Sequence, residues 1–240
     1  MGDLAIVQTV WFPRGEIGES RIAAARESLD TWTERIYGYQ SDHVHIADDG
    51  SDPSLLDEYR SGYLAATLTS APRYGCAGSL RLGVQYIMRE RITDVIAYLQ
   101  DDWSLDEDLD LAPSLALIRS GYADVVRLGP THPNLRGKVV RTPIPDAEWC
   151  LEYDWDAGGY VVGWRPSLYR ASLLAESLEG IPDGLSAIEG ERLWLERMAA
   201  MRPRVFHAPN CTLAGPFRHI ETVELGEDAP TDLDARYRNA

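Results

Sequence analysis

The sequence predicts an α/β fold, in which helices flank a mostly parallel sheet and a smaller C-terminal part follows. Three observations predict it. Apolar, β-branched runs alternate with amphipathic segments through about half of the 240 residues. The apolar runs are continuous, as expected of strands buried on both faces. With 45% hydrophobic and 25% charged residues, the chain has the composition and length to form one good-sized core.

The first half of the chain supplies most of the alternation. Residues 4–12 (LAIVQTVWF) predict a buried strand, and residues 18–36 place apolar side chains near helical spacing. A second strand is predicted over 42–47. Ser51, Asp52 and Pro53 then predict a helix start, because a polar cap followed by proline is typical of a first turn.

The remaining elements continue the pattern with one interruption. Further strands are predicted over 65–71 and 94–103, separated by a loop and helix over 73–92. A helix and a strand are predicted over 110–129. Residues 130–156, rich in proline and aromatic residues, predict irregular structure. The last elements are a strand and short helix (159–170), a helix (186–201) and a strand with a loop (202–221).

Charge and cysteine content restrict the function classes. A formal net charge of −15 argues against binding phosphate backbones by bulk charge. The one basic cluster comprises Arg136, Lys138 and Arg141. Three widely spaced cysteines, Cys76, Cys150 and Cys211, are typical of free thiols in a reducing compartment. With no signal peptide or membrane span predicted, we expect a cytoplasmic protein.

Polar and aromatic side chains end three of the predicted strands: Thr9 and Trp11, then Asp48 and Asp49, then Asp101 and Asp102. In an open parallel sheet, ligands bind beyond the carboxyl ends of the strands. Aspartates are also common in solvated turns. Three such ends in one crevice favour a binding site over three unrelated turns.

The order of these segments resembles the family 2 glycosyltransferases of the GT-A fold, over residues 4–111. The segment HIADDGSDP is similar to a family strand that ends in Asp-Asp-Gly-Ser. The segment RYGCAGSLRLGVQYI resembles the Gly-xxx-Ala-Arg-Asn-x-Gly segment, with Gly75 and Gly83 at the expected spacing. The segment AYLQDDW resembles the Asp-x-Asp stretch that binds a divalent metal and the donor diphosphate. The resemblance implies a Rossmann-like GT-A sheet and transfer from a nucleotide-sugar.

Two departures from the family pattern lie in these segments. Gln100 stands where the family has its first metal-motif aspartate, and Ser79-Leu80-Arg81 replaces the Ala-Arg-Asn triplet. Arg73 and Arg81 are therefore the candidates for contact with the diphosphate.

The resemblance also implies roles for the acidic residues. Asp102 is the expected direct ligand of Mn²⁺ or Mg²⁺, which would neutralise the leaving diphosphate, and Asp101 is expected to meet the ribose or a metal-bound water. Asp49 is expected to bind the base and Trp11 to stack on it, the alternative for Trp11 being core packing. Some relatives complete the metal shell with a late histidine, here His219, although a lone histidine is a weak signal.

Inverting transfer needs a base for the acceptor hydroxyl, and the family places it at the start of a late helix. Glu191 and Glu189 are the candidates in this chain, with Glu191 ranked slightly higher. Gly190 falls on the position where the family has its aspartate. Both glutamates alternatively complement the dipole of the helix N-terminus.

We expect residues 1–129 to bind the nucleotide-sugar, residues 130–225 to bind the acceptor and supply the base, and residues 226–240 to form a polar tail. Aromatic residues in the second part form either an acceptor wall or a core: Trp149, Tyr153, Trp155, Tyr160 and Trp164. Two histidines on a strand, His43 and His45, are expected to be structural, and His132 lies in a predicted loop.

The prediction is a metal-dependent glycosyltransferase that moves a sugar, with UDP-sugar favoured, to a hydroxyl with inversion. The acceptor is a carbohydrate or another hydroxyl-bearing molecule, with modified nucleic acid still open. A sugar nucleotidyltransferase is the alternative enzyme, although residues 11–20 lack its dense glycine-rich phosphate loop. Gln100 and Gly190 also leave open a non-catalytic GT-A-like binding module.

Overall fold

A computed structural model describes residues 2–40, 43–130, 136–157, 161–212 and 215–220. The helices in these ranges are α1 (Glu16–Arg35), α2 (Pro53–Ser61), α3 (Gly75–Arg89), α4 (Ala112–Arg119), α5 (Ala171–Leu178) and α6 (Ala187–Met201). The strands are β1 (Ala5–Val10), β2 (Ile36–Tyr37), β3 (His43–Asp48), β4 (Thr67–Ser70), β5 (Val95–Gln100), β6 (Trp103–Leu105), β7 (Leu109–Asp110), β8 (Val125–Arg127), β9 (Gly137–Arg141), β10 (Trp149–Tyr153), β11 (Ser167–Arg170), β12 (Val205–His207) and β13 (Phe217–His219).

Within the described ranges, nine of these strands form one sheet in the order β4-β3-β1-β5-β11-β8-β12-β10-β9. The strands β4, β3, β1 and β5 run parallel, as do β8 and β12, while β11, β10 and β9 join by antiparallel pairing. The predicted α/β sheet flanked by helices is confirmed. The three strands that end in the candidate site residues, β1, β3 and β5, all belong to its parallel part.

Side chains that alternate along β1 enter two cores on opposite faces of the sheet. Leu4 and Ile6 pack in one core with residues of α1 and α4, including Trp32. Ala5 and Val7 pack in the other core with residues of α3, α5 and α6. All six residues of β1 are buried, so the apolar run reflects burial on both faces of the sheet, as the sequence predicted.

The predicted start of α2 is confirmed in detail. The Asp52 side chain accepts a hydrogen bond from the Ser54 N–H at 3.0 Å, and Pro53 occupies the first turn. This cap begins a helix directly after the second predicted strand end. The cap therefore sets the start of α2 four residues after Asp49.

The prediction of irregular structure over residues 130–156 was wrong in part. Residues 137–141 and 149–153 pair as the antiparallel strands β9 and β10. The strand β9 lies at the sheet edge, and four of its five residues are exposed, so its sequence lacks the apolar alternation of a half-buried strand. The order of strand and helix predicted over 159–170 is present but displaced, because the strand β11 occupies Ser167–Arg170 and the helix α5 begins only at Ala171.

Several predictions fall on residues that the structure does not describe. His132, Tyr160 and the polar tail over 226–240 lie outside the described ranges. All three cysteines are free. Within the ranges that the structure covers, no helix has the length and apolar character needed to cross a membrane.

Candidate active site

The parallel pairing of β3, β1 and β5 brings the predicted strand ends together. Val10 is the register partner of Asp48, and Thr9 is the partner of Gln100. The residues that follow these strands therefore lie beyond one edge of the sheet, where open α/β sheets bind ligands. The convergence expected from sequence is present.

Asp48 and Asp49 have different roles at the end of β3. The carboxylate of Asp48 accepts hydrogen bonds from the Ser51 N–H at 3.0 Å and the Ser70 hydroxyl at 2.6 Å, so it holds the turn. Asp49 accepts from the Gly75 N–H at 2.8 Å, at the N-terminus of α3. Burial raises the pKa of Asp49, and the nearby Arg73 guanidinium opposes this rise. Of Asp48 and Asp49, only Asp49 binds the N-terminus of α3.

Two guanidinium groups lie over the Trp11 ring. The Arg73 Cζ atom is 4.1 Å from the Trp11 ring centroid, and the Arg21 Cζ atom is 5.6 Å from it. The ring is half-buried, and Arg73 is exposed. Cations over an indole face are attracted by its quadrupole. Trp11 therefore borders the crevice.

Asp101 forms a shielded ion pair with a residue of α1. The Arg21 Nη2 atom donates to the Asp101 Oδ2 atom at 2.6 Å, and the two side chains are 22% and 7% exposed. Burial raises the pKa of Asp101 to about 6, and the charge of Arg21 opposes this rise. One of the two motif carboxylates thus already has a cationic partner.

Asp102 lies against His219, although 117 positions separate them in the sequence. The short strands β6 and β13 pair with His219 opposite Trp103, and this pairing sets the His219 Nε2 atom 3.1 Å from the Asp102 Oδ2 atom. The hydrogen bond to Asp102 raises the pKa of His219. The Asp102 Oδ1 atom is buried and has no hydrogen-bond partner among the described residues. The two predicted metal ligands are therefore adjacent.

This pair fits a divalent ion that relies on its substrate for further ligands. Mg²⁺ binds through one or two protein carboxylates together with phosphates and waters, and imidazole suits transition metals. In the parts of the chain that the structure describes, no group of three or more acidic, histidine or cysteine side chains forms a complete metal site. The buried, unpartnered Asp102 Oδ1 atom is the observation that a cation would satisfy.

Arg81 binds the loop between α5 and α6. Its Nη1 atom donates to the Ile181 carbonyl at 2.7 Å, and its Nη2 atom pairs with Asp183. The guanidinium thereby attaches the loop before α6 to α3. Of the two predicted diphosphate contacts, the structure places only Arg73 beside Trp11.

The two candidate bases differ in what holds them. Glu189 completes a capping box with Ser186 at the start of α6, and both side chains are exposed. Glu191 is half-buried, and its Oε1 atom accepts from the Trp164 N–H at 3.0 Å. The Trp164 and Tyr98 rings pack edge to face with their centroids 6.0 Å apart, and the Tyr98 hydroxyl lies 3.3 Å from the Thr9 hydroxyl. Glu191 therefore contacts the loop that adjoins the crevice.

Gly190 has a packing reason to lack a side chain. A Cβ atom at this position would lie 3.3 Å from the Ala77 Cβ atom on α3, closer than most such contacts. The helix α6 therefore approaches α3 closely at the residue where the family has a carboxylate.

Sequence reasoning missed two arginines of the crevice, Arg21 and Arg165. Arg165 donates to the Pro130 carbonyl at 2.8 Å, and its Cζ atom is 6.0 Å from the Trp103 ring centroid. It precedes β11 by two residues, at the end of the sheet where β5 delivers its aspartates. The sequence signal for Arg165 was only that of a basic residue next to a predicted strand in an acidic chain.

The aromatic residues of the second part divide between core and surface. Trp164 and Tyr153 are buried, and the Tyr153 hydroxyl lies 3.0 Å from the His207 Nδ1 atom. Trp155 donates to the Pro203 carbonyl at 2.8 Å. Trp149 is 62% exposed at the sheet edge. Of the two alternatives for these residues, the structure places Trp164 and Tyr153 in the core, whereas Trp149 is exposed.

Two residues of the basic cluster form ion pairs. Lys138 pairs with Glu152 at 3.6 Å, and Arg141 pairs with Glu148 at 2.7 Å. Exposed ion pairs of this kind contribute little stability, but they cancel local charge. Glu152 also pairs with Arg204 at 2.9 Å, so it is shared between two cations.

Comparison with known proteins identifies the fold. The chain matches no protein-family model and no curated protein sequence. It is similar to the crystal structure of Staphylococcus aureus TarS 1-349, with 14% identity, a TM-score of 0.60, and coverage of 90% of this chain and 60% of that one. The structure of TarS 1-349 with UDP-GlcNAc gives 13% identity, a TM-score of 0.58, and coverage of 92% and 59%.

The structure of GalNAc-T7 with UDP, GalNAc and Mn²⁺ gives 12% identity, a TM-score of 0.59, and coverage of 97% of this chain and 46% of that one. The chain thus spans less than two thirds of each of these proteins. Likeness at such low identity shows the fold, and the chain has the GT-A fold that the sequence predicted.

Proposed function

We propose that this GT-A chain is a glycosyltransferase that moves a sugar from a nucleotide diphosphate to an acceptor hydroxyl. One observation carries the proposal. Trp11, Asp49, Asp101 and Asp102 converge beyond the ends of adjacent parallel strands, with two arginines beside them. An aromatic face, carboxylates and cations in one crevice match the base, ribose and diphosphate of such a donor.

The donor is a UDP-sugar in this proposal. Structures of similar fold were solved with UDP-GlcNAc and with UDP, GalNAc and Mn²⁺, which supports uracil as the base. Trp11 stacks on the base, and Asp49 accepts a hydrogen bond from it. Arg73 leaves the Trp11 face and meets the diphosphate, whose negative charge is also favoured near the N-terminus of α3.

Asp102 and His219 would hold Mn²⁺ or Mg²⁺ in the donor complex. When bound, such an ion supplies Lewis-acid stabilisation of the negative charge on the leaving nucleoside diphosphate. Asp102 offers its buried Oδ1 atom, and His219 offers an imidazole nitrogen that now bonds to the same carboxylate. Asp101, held by Arg21, accepts a hydrogen bond from the ribose.

Glu191 is the proposed base. Its carboxylate takes the proton of the acceptor hydroxyl as that oxygen attacks the anomeric carbon, and the nucleoside diphosphate leaves from the opposite face with inversion. Glu189 is committed to the cap of α6, whereas Glu191 is half-buried against the loop of Trp164. This difference favours Glu191.

The remaining assignments follow the division of the chain. Residues 1–129 bind the donor, and residues 130–225 carry Glu191 and bind a carbohydrate or another hydroxyl-bearing acceptor. The exposed Trp149 offers a surface on which a sugar can stack. The three free thiols support a location in the cytoplasm.

Donor turnover tests the proposal. The purified chain is incubated with UDP-, GDP- and dTDP-sugars, with and without Mn²⁺, and release of the nucleoside diphosphate is measured. We expect Mn²⁺-dependent release from a UDP-sugar, and loss of that release in the Asp102→Ala variant. A chain that binds UDP but never turns over a donor is a binding module, and this result would reject the proposed reaction.

A further inference from the structure

Arg21 is a cation inside the crevice that the sequence motifs do not place there. Its Nη2 atom donates to the Asp101 Oδ2 atom at 2.6 Å, and its Cζ atom lies 5.6 Å from the Trp11 ring centroid. The helix α1 therefore contacts two of the proposed donor-binding residues through one side chain.

The ion pair occupies an oxygen that a metal would otherwise use. Only 7% of the Asp101 side chain is exposed, and the guanidinium covers its Oδ2 atom at a distance typical of a strong, charge-assisted hydrogen bond. A positive group at this position also repels a divalent cation. Asp101 is thus poorly available to a metal, whereas the neighbouring Asp102 has an unpartnered buried oxygen among the described residues.

The Arg21 side chain itself is incompletely satisfied. Its Nε atom is buried and donates no hydrogen bond to any residue within the described ranges. Buried donors without an acceptor are rare in proteins, so the atom indicates that an acceptor is supplied from elsewhere. An oxygen of the donor, or a water that accompanies it, meets this need.

Resting on the proposed function, we propose that Arg21 is a positioning residue that withholds Asp101 from the metal ion and reserves it for the donor. The two motif carboxylates are thereby divided between two cations. Asp101 belongs to Arg21 and the ribose, and Asp102 belongs to the metal with His219. The guanidinium adds a fixed positive charge to the nucleotide site.

Mn²⁺ binding without nucleotide tests this division through electron paramagnetic resonance of free Mn²⁺. In the Arg21→Gln variant, Asp101 joins Asp102 at the metal, and we expect Mn²⁺ to bind about tenfold more tightly. The same variant should bind UDP more weakly in metal-free buffer, because a site cation is lost. A change that only disturbs packing would weaken both, and this result would overturn the inference.

Three further variants make the result specific. Arg21→Gln combined with Asp101→Asn should return the Mn²⁺ affinity to that of the natural chain. This double variant keeps the local charge, so a loss of Mn²⁺ affinity in it would show that Asp101 is a direct ligand and would overturn the inference. Asp101→Asn alone should weaken Mn²⁺ binding, because it leaves the Arg21 charge unpaired beside the site. Arg26→Gln removes another α1 arginine, which pairs with Glu58 at 3.3 Å, and should change neither measurement.

Failure of this inference differs from failure of the proposed function. If Arg21→Gln leaves Mn²⁺ affinity unchanged while the natural chain still turns over a UDP-sugar, only the inference is wrong. If Arg21→Gln does not fold, Asp101→Asn is compared with Asp102→Asn, since each removes one carboxylate charge. Asp102→Asn should lose much more Mn²⁺ affinity, and an equal or larger loss in Asp101→Asn would overturn the inference.

Discussion

The strand β3 delivers Asp48 and Asp49 to the crevice, and His45 in its middle makes the fold sensitive to acid. The His45 ring is fully buried, and its two nitrogens lie 2.7 and 3.0 Å from the hydroxyls of Thr67 and Thr69. The Tyr86 ring stacks on it at 4.8 Å between centroids. Burial, with the charge of His43, lowers the pKa of His45 from 6.5 to about 4.

The sign of the effect follows from linkage. Since the folded-state pKa lies below the unfolded value, this histidine contributes stability that is present above pH 6.5 and is lost as the pH falls toward 4. At pH 5 the unfolded side chain is mostly protonated, and the folded one is mostly neutral. Between the unfolded pKa of 6.5 and pH 5, over about 1.5 pH units, the unfolded side chain takes up a proton that the folded one does not. The free energy of unfolding should therefore fall by about 2 kcal/mol between pH 7 and pH 5.

The assay is urea unfolding at pH 7 and pH 5, followed by circular dichroism. The natural chain should lose about 2 kcal/mol more than the His45→Gln variant over this interval, although the variant is less stable at pH 7. His43→Gln should keep most of this loss, because burial is the largest cause of the lowered His45 pKa and the charge of His43 is the smaller one. Equal losses in the natural chain and in His45→Gln would refute the reasoning.

Further predictions concern the helix α6 and the donor face. Glu191→Gln should reduce kcat by about 10²- to 10⁴-fold in a transfer assay, because it removes the base. Glu189→Gln should retain most activity and lose less than about 1 kcal/mol in urea unfolding, because it weakens only the capping box. Gly190→Asp should lower the free energy of unfolding by about 1–3 kcal/mol, because the residue is buried and its new Cβ atom would lie 3.3 Å from that of Ala77. Arg73→Ala should raise the donor KM about tenfold and change kcat little, because it removes a contact made before the transition state.

The donor side of the crevice could be predicted from sequence because its residues follow strands directly. The strands β1 and β5 are mostly apolar, and β3 ends in the apolar pair Ile46 and Ala47. The polar residue that ends each strand therefore needs no tertiary information to be placed at the end of the sheet. Trp11, Asp49 and Asp102 all lie where this reasoning puts them. The order of the segments then favoured one fold among the α/β alternatives.

Residues brought in by distant elements could not be located in this way. The rotation of α1 decides that Arg21 faces Asp101, and helical periodicity alone gives no such direction. His219 reaches Asp102 only because β13 pairs with β6, and a three-residue strand carries almost no sequence signal. Gly190 illustrates a similar limit, because its contact with Ala77 depends on the distance between two helices.

A crystal structure with a UDP-sugar and Mn²⁺ tests the central claim most directly. The account predicts the base on Trp11, the metal bound to Asp102 and His219, and Asp101 still paired with Arg21 beside the ribose. The sugar should lie with its anomeric carbon toward Glu191. A nucleotide bound elsewhere on the chain, or a metal held without Asp102, would contradict it.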